Sequence, residues 1–336
     1  MLNPIQKQDC QGTLVWIELT ADGGHVSELS LEALTAARQL GQNPLSKAVS
    51  ALVLSSTELS EAAKQTLMGY GVYHIYQGIA PQLAQKDNAT LTEALSQAIV
   101  QIKPAFFITA TCTTCLSVLP RVAFRHQYGY TPDCTAIEDN GIDVLLTRPL
   151  YSGKILCQVA SPKHPQMLVL RPKAFTKQPA DSIIVPGYTN LSLDLNSVPY
   201  KSELLSVESK GDSGKVRLEE ADAIVSGGRG LKGPENFHLI EALAAKLNAG
   251  VGATRAVVDA GWRPHEEQIG QTGKTVSPEL YFALGIHGAI QHQVGMNTSR
   301  NIIAVNTNPE APIFELADLG IVGDVFDVLP ALISKL

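Results

Sequence analysis

Four short segments in the last third of the chain set glycine beside a polar or charged side chain just past an apolar run. They are Gly227-Gly228-Arg229-Gly230, Gly252-Ala253-Thr254-Arg255, Gln268-Ile269-Gly270-Gln271-Thr272-Gly273-Lys274 and Gly285-Ile286-His287-Gly288-Ala289-Ile290-Gln291-His292. Glycine lets a backbone turn sharply and approach a ligand with no Cβ in the way. The first segment has the fullest context. Ala223 to Val225 reads as a buried parallel strand, Pro234 suits a first helical position, and Phe237, Ile240, Ala244 and Leu247 share one helical face. Free N–H groups at such a helix start attract an anion, so a nucleotide phosphate is the natural guest. A single turn of this kind is also a plain tight connection. Four of them converging on the carboxyl edge of one sheet favour a ligand. An NAD site wants an acidic residue at the end of the second strand, where Thr254 and Arg255 stand, with Asp259 several residues later. An arginine there could read the 2′-phosphate of NADP, but no acid–base pairing for hydride transfer stands out.

The elements around these segments alternate. The strands expected are Thr13 to Leu19, Ala51 to Leu54, Val72 to Tyr76 and Ala105 to Ala110. The helices are Ser30 to Leu40, Glu58 to Met68, Thr90 to about Lys103 and Leu116 to His126. Thr90 with Glu93 reads as a capping box. Ile142 to Leu146, Ile155 to Val159 and Met167 to Leu170 follow without helices and predict an antiparallel extension. Lys173 to Leu204 is weak in periodicity, and Glu208 to Gly214 reads as a linker. Strands at Ala223, Val251, Leu280 to Ile286 and Asn301 to Asn306 then alternate with helices from Pro234, near Ala289 and from Val325 to Lys335. The expected fold is α/β: two doubly wound, mainly parallel three-layer domains, residues 1–210 and 215–336, the first with the antiparallel extension.

Composition bounds the function. With 336 residues, 45% hydrophobic and 17% charged, the chain can build about two globular cores. A net charge of -6 argues against nucleic acid, which wants a clustered basic face. The first ten residues lack a signal peptide's apolar core, and five scattered cysteines suit a reducing compartment. A cytoplasmic location is expected.

The second domain resembles the alpha subunit of electron transfer flavoprotein. The resemblance is carried by Val-Ser-Gly-Gly-Arg-Gly-Leu-Lys from Val225, Gly-Ala-Thr-Arg-Ala-Val-Val-Asp-Ala-Gly from Gly252, Gln-Thr-Gly-Lys from Gln271, Gly-Ala-Ile-Gln-His from Gly288 and Asn-Pro-Glu-Ala-Pro-Ile-Phe from Asn308. Leu119-Pro-Arg-Val-Ala123 and the strands to Leu170 match more loosely. The resemblance implies a heterodimer with a beta subunit, one FAD held mainly by the C-terminal domain, and AMP in the beta subunit. It implies electrons taken from acyl-CoA and related dehydrogenases and passed to a membrane quinone oxidoreductase. An electron-bifurcating variant, with a second FAD in the beta subunit and NADH as donor, is the first alternative. An NADP-dependent dehydrogenase and a non-catalytic adenine-nucleotide module are the others.

By the same resemblance, Arg229 and Thr254 face the FAD. Arg255 lies against the isoalloxazine ring as a buried-side cation stabilising negative charge at N1 and C2=O. The Thr272 hydroxyl reaches N5, and His292 sits near C2=O, adding positive character if protonated. Ile269, Gly270, Gln271 and Thr272, with His287, Gly288, Ala289, Ile290, Gln291 and His292, supply contacts. Asn306, Asp324 and Val325 reach the adenosine end. No catalytic acid, base or metal ligand is implied. Plainer readings stand beside these: Arg255 as a surface ion-pair partner, and His287, where the family usually has serine, as a departure bearing on local hydrogen bonds and flavin potential. Cys112-Thr-Thr-Cys115 opens a helix, where a dithiol or metal role competes with the preferred structural one. Two cysteines cannot complete a four-thiolate zinc site.

Overall fold

The computed structural model describes residues 7–20, 23–46, 48–85, 87–141, 143–151, 153, 155–198, 205 and 216–336. The expected linker at Glu208 to Gly214 lies outside them. The chain divides into two compact units, Met1–Glu208 and Ser209–Leu336.

In the first unit, β1 (Thr13–Ile17), α1 (Glu28–Arg38), β2 (Val49–Ser55), α2 (Glu61–Gly69), β3 (His74–Ile79), α3 (Asn88–Ile102), β4 (Phe106–Ala110) and α4 (Thr113–His126) alternate in order. Then come β5 (Gly129–Cys134), β6 (Ala136–Asp139), β7 (Val144–Leu150), β8 (Ile155–Val159), β9 (Gln166–Leu170) and β10 (Gly187–Leu191). The main sheet has the order β10-β3-β2-β1-β4-β9-β5, and every pair in it is parallel. β1 shows why it must be covered on both faces. Val15 and Ile17 join a core with Leu34 of α1 and Leu67 of α2, while Leu14 and Trp16 join a second with Leu95 of α3 and Leu119 of α4. Continuous apolar runs such as this are the signature of a doubly covered parallel strand.

Three expectations change here. The antiparallel extension is a separate three-stranded sheet, β6-β7-β8, and Met167 to Leu170 is not part of it. Those residues form β9, wholly buried between β4 and β5 in the parallel sheet. The segment read as non-periodic contains β10, an exposed edge strand paired with β3. The cap of α3 is Asp87 rather than Thr90: Asp87 Oδ2 accepts from Thr90 N at 2.9 Å. A carboxylate ahead of the first turn both satisfies a free amide and opposes the positive helix end.

The second unit runs β11 (Ala223–Gly227), α5 (Phe237–Leu247), β12 (Gly250–Ala253), α6 (Arg255–Asp259), β13 (Leu280–Leu284), α7 (Ile290–Gln293), β14 (Ile302–Asn306), β15 (Leu319–Val322) and α8 (Val325–Lys335). Its parallel sheet has the order β12-β11-β13-β14-β15. One face packs Val225, Phe282 and Val305 on Phe237, Ile240 and Leu243 of α5 and Leu329 of α8. Among the described residues no long helix covers the other face. Ile224, Tyr281 and Ala304 are covered there by Ile269, Ile286, Met296 and Ile313, which come from loops and short turns. This loop-built layer carries the candidate site.

Candidate functional site: a loop-walled cleft at the strand ends

β11, β12, β13 and β14 end at Gly227, Ala253, Leu284 and Asn306. A cleft of about 690 Å³ opens just past those ends. Its wall holds Arg229, Thr254, Arg255, Ile269, Gly270, Gln271, Thr272, His287, Gly288, Ala289, Gln291, His292 and Asn306 from the expected set. Gly228, Gly230, Gln268, Gly285 and Ile286, from the four glycine segments, line it as well, together with Ala256 and Asp259. The chain leaves β11 toward β12 on one side and pairs β13 on the other, so the cleft sits where the strand order reverses.

The walls are fastened to one another by main chain. Gly228 N donates to Leu284 O at 2.9 Å and Gly230 N to Gly285 O at 3.0 Å. Gln271 N donates to Gln291 O at 2.7 Å, and Ile269 N to Ala253 O at 2.9 Å. Glycine is required at two of these contacts. A Cβ on Gly228 would stand 2.3 Å from Gly285 O. Gly270 has φ +142°, and a Cβ there would meet Gln291 O at 2.6 Å. The glycines noted in the sequence thus serve loop-to-loop contact before any ligand arrives.

Side chains on this frame fall into three states. Thr272 is exposed on the wall, and its Oγ1 accepts from Gln268 Nε2 at 3.0 Å. That bond occupies a lone pair and leaves the hydroxyl proton to donate. Arg255 is 65% exposed at its side chain, and its Nε donates to Asp259 Oδ2 at 3.2 Å. The expected buried-side cation is therefore a rim cation whose charge is shared with its own helix.

His292 is held the other way. It is 6% exposed, its Nδ1 bonds Ile269 O at 3.0 Å, and its Nε2 bonds the Tyr281 hydroxyl at 3.0 Å. A carbonyl only accepts, so Nδ1 carries the proton and Nε2 accepts from Tyr281. Burial pulls its pKa down to about 4, against a smaller upward pull from Ile269 O. The condition attached to His292, positive character if protonated, is not met at neutral pH, because burial disfavours the charged ring.

Three expected residues stand off the wall. Ile290 is 57% exposed, and Val325 is buried in the α5–α8 core. Asp324 caps α8 through Phe326 N at 3.1 Å and pairs with Lys232 Nζ at 3.2 Å. Glycine turns and polar residues made the wall legible in the sequence. The partners Gln268, Asp259 and Tyr281 were not, since nothing in the spacing says which side chain grips which.

A cleft of this size lies within the usual range of small-molecule and cofactor pockets. Two guanidiniums against one carboxylate suit a ligand with a phosphate bridge, and the Thr272 donor suits a ring nitrogen. The residues present fit FAD. Among the described residues no group of three or more His, Cys, Asp or Glu could hold a metal ion. No helix among them is long and apolar enough to cross a membrane.

Comparison with known proteins agrees with this geometry. Residues 217–297 match the family model described as electron transfer flavoprotein FAD-binding domain, and residues 15–185 match the electron transfer flavoprotein domain. The chain is 38% identical over 325 residues to electron transfer flavoprotein subunit alpha of Thermoanaerobacterium thermosaccharolyticum, covering 96% of this chain and 97% of that one. It is 35% identical over 321 residues to Protein FixB of Azorhizobium caulinodans, covering 95% and 87%. It is 38% identical over 323 residues to the mitochondrial alpha subunit of Oryza sativa subsp. indica, covering 94% and 88%. With both family models matched in sequence order and relatives aligned over nearly the whole length, the chain belongs to the electron transfer flavoprotein alpha-subunit family, whose members carry electrons.

Proposed function

We propose that this chain pairs with a beta subunit, binds one FAD in the cleft at the carboxyl edge of β11 to β14, and carries electrons from acyl-CoA or related dehydrogenases to a membrane quinone oxidoreductase. The beta subunit holds AMP, and the pair works in the cytoplasm. The observation that carries the reading is the wall itself: four loops locked to each other, two guanidiniums at the rim and a threonine hydroxyl with a proton to give. FAD, when bound, supplies the redox chemistry, and the protein sets its potential.

The chain's own residues have separable tasks. Thr272, oriented by Gln268, donates to a ring nitrogen. Arg229 and Arg255 bring positive charge to the ligand, and Arg255 gains reach if Asp259 releases it. His292 acts as a neutral dipole and packing group rather than as a cation. Asn306 is fixed at both ends of its amide, Nδ2 donating to Ile286 O at 2.8 Å and Oδ1 accepting from Asn308 N at 2.9 Å.

The test is co-expression with the beta subunit, extraction of cofactors and a reductive titration. A yellow heterodimer with one FAD and one AMP is expected. Two FADs with NADH as donor would replace the shuttle by the bifurcating role. A pair that stays colourless when offered FAD would overturn the reading.

A further inference from the structure

The sheet of the first unit has its own reversal point, between β1 and β4. From β1 the chain builds toward β2 and β3, and beyond β4 lie β9 and β5. At the carboxyl ends of those two strands stand Glu18, Cys112 and Cys115. Cys112 is the N-cap of α4 and Cys115 its third residue. Cys115 N donates to Cys112 Sγ at 3.1 Å, and Cys112 N donates to Cys115 Sγ at 3.1 Å. The Cys115 thiol donates back to Cys112 O at 3.1 Å. The Cys112 thiol also donates to Glu18 Oε1 at 2.9 Å. Cys115 is fully buried, while Cys112 is half-buried. Each thiol is thus pinned over the other's amide, one reachable from solvent and one behind it.

We propose that Cys112 and Cys115 form a dithiol site that reduces disulfides, with Cys112 as the attacking sulfur, Cys115 as the resolving sulfur and Glu18 as the residue that holds the resting thiol. Cys112 gives its proton to solvent and attacks one sulfur of R–S–S–R. That S–S bond breaks, and RS⁻ leaves and is protonated. Cys115, losing its proton to solvent, attacks Cys112 Sγ, and a second RSH leaves. Two electrons pass from the dithiol to the disulfide, giving a Cys112–Cys115 disulfide and two RSH. The spacing has the reach for this closure, because the third residue of a helix lies directly over its cap. The hydrogen bond with Cys115, burial and the Glu18 carboxylate all hold Cys112 in its protonated form. Attack requires the thiolate, so the pair reacts faster as pH rises. The site lies in the first unit, and the cleft at the ends of β11 to β14 in the second.

The test uses the full chain with the half-buried Cys157 of β8 changed to serine, and 4,4′-dithiodipyridine as probe. Two thiopyridones should be released with no adduct retained, and the chain should lose the mass of two hydrogens in the peptide bearing Cys112 and Cys115. Cys115→Ser should release one thiopyridone and keep one adduct on Cys112. Cys112→Ser, which preserves a helix cap, should release none from this pair. Glu18→Gln should move the rate–pH profile down by about one unit. Failure of the folded chain to form the disulfide in alkaline buffer with excess probe would overturn the proposal, as would a Cys115→Ser variant that still releases two. An unmoved profile in Glu18→Gln would remove Glu18 from it.

Discussion

At the scale of single residues, the cleft depends on which partner each side chain already has. His292 offers the sharpest case, because both ring nitrogens are engaged inside the chain. Imidazole resonances followed by NMR should show the Nδ1-protonated tautomer with no titration between pH 5 and 8. Tyr281→Phe removes the donor that favours the neutral ring, so the His292 pKa should rise. The unpaired Nε2 should also cost about 1–3 kcal/mol of stability. A titration near the ordinary histidine value in the unaltered protein would contradict the assignment. For Thr272, Thr272→Val should weaken FAD retention about 3- to 10-fold, the worth of one hydrogen bond. Gln268→Leu should give a smaller loss, since it frees the hydroxyl to rotate without removing it. Equilibrium dialysis of the heterodimer measures both.

At the scale of elements, two features of the first unit are testable without any ligand. Asp87→Ala should cost about 1 kcal/mol by urea denaturation, while Thr90→Ala should cost less, because Asp87 is the cap. Glu32 of α1 is 5% exposed and accepts from Lys173 N at 2.8 Å. Burial pushes its pKa up to about 7, against a smaller downward pull from that amide. A raised carboxyl pKa means the folded state holds more protons than the unfolded chain between the ordinary value and 7. Stability from this group is therefore present at low pH and lost as pH rises through 7. Glu32→Gln should flatten that decline, with a gain of about 1–3 kcal/mol at pH 8, read from denaturation midpoints at pH 5 and 8.

Legibility in the sequence followed the same physics. Elements whose side chains pack were readable: α8 spans Val325–Lys335 as its apolar spacing required. Two edge strands were not. β10 is exposed at nearly every position, and β15 is exposed at Leu319, Gly320 and Val322. Both are held by backbone bonds to one neighbour, which leaves little apolar pattern. β9 was visible as a strand but misassigned, because an unbroken apolar run does not say which sheet will bury it. Thr90-Leu91-Thr92-Glu93 fits a capping pattern, yet the aspartate three residues earlier captures the amide first. In the site, glycine spacing exposed the wall, while charge state did not show: the burial that neutralises His292 and the exposure of Arg255 are properties of packing.

At the scale of the whole molecule, two units with separate cores should respond separately to a ligand. Heating the chain alone should resolve a transition for residues 209–336. FAD at about 100 times its dissociation constant should stabilise that unit by about 2.7 kcal/mol and leave the other transition in place. Calorimetry with and without FAD checks this, and a joint shift of both transitions would count against it.

The contact of Gly228 and Gly230 with Gly285 has a consequence for how the protein can change over generations. Because the mouth is shaped by main chain against main chain, alanine at those positions should be as harmful as any bulkier residue. Arg229, Gln271 and His287 carry none of that shape. Lineages can exchange such rim side chains one at a time, retuning electron affinity while the opening keeps its form.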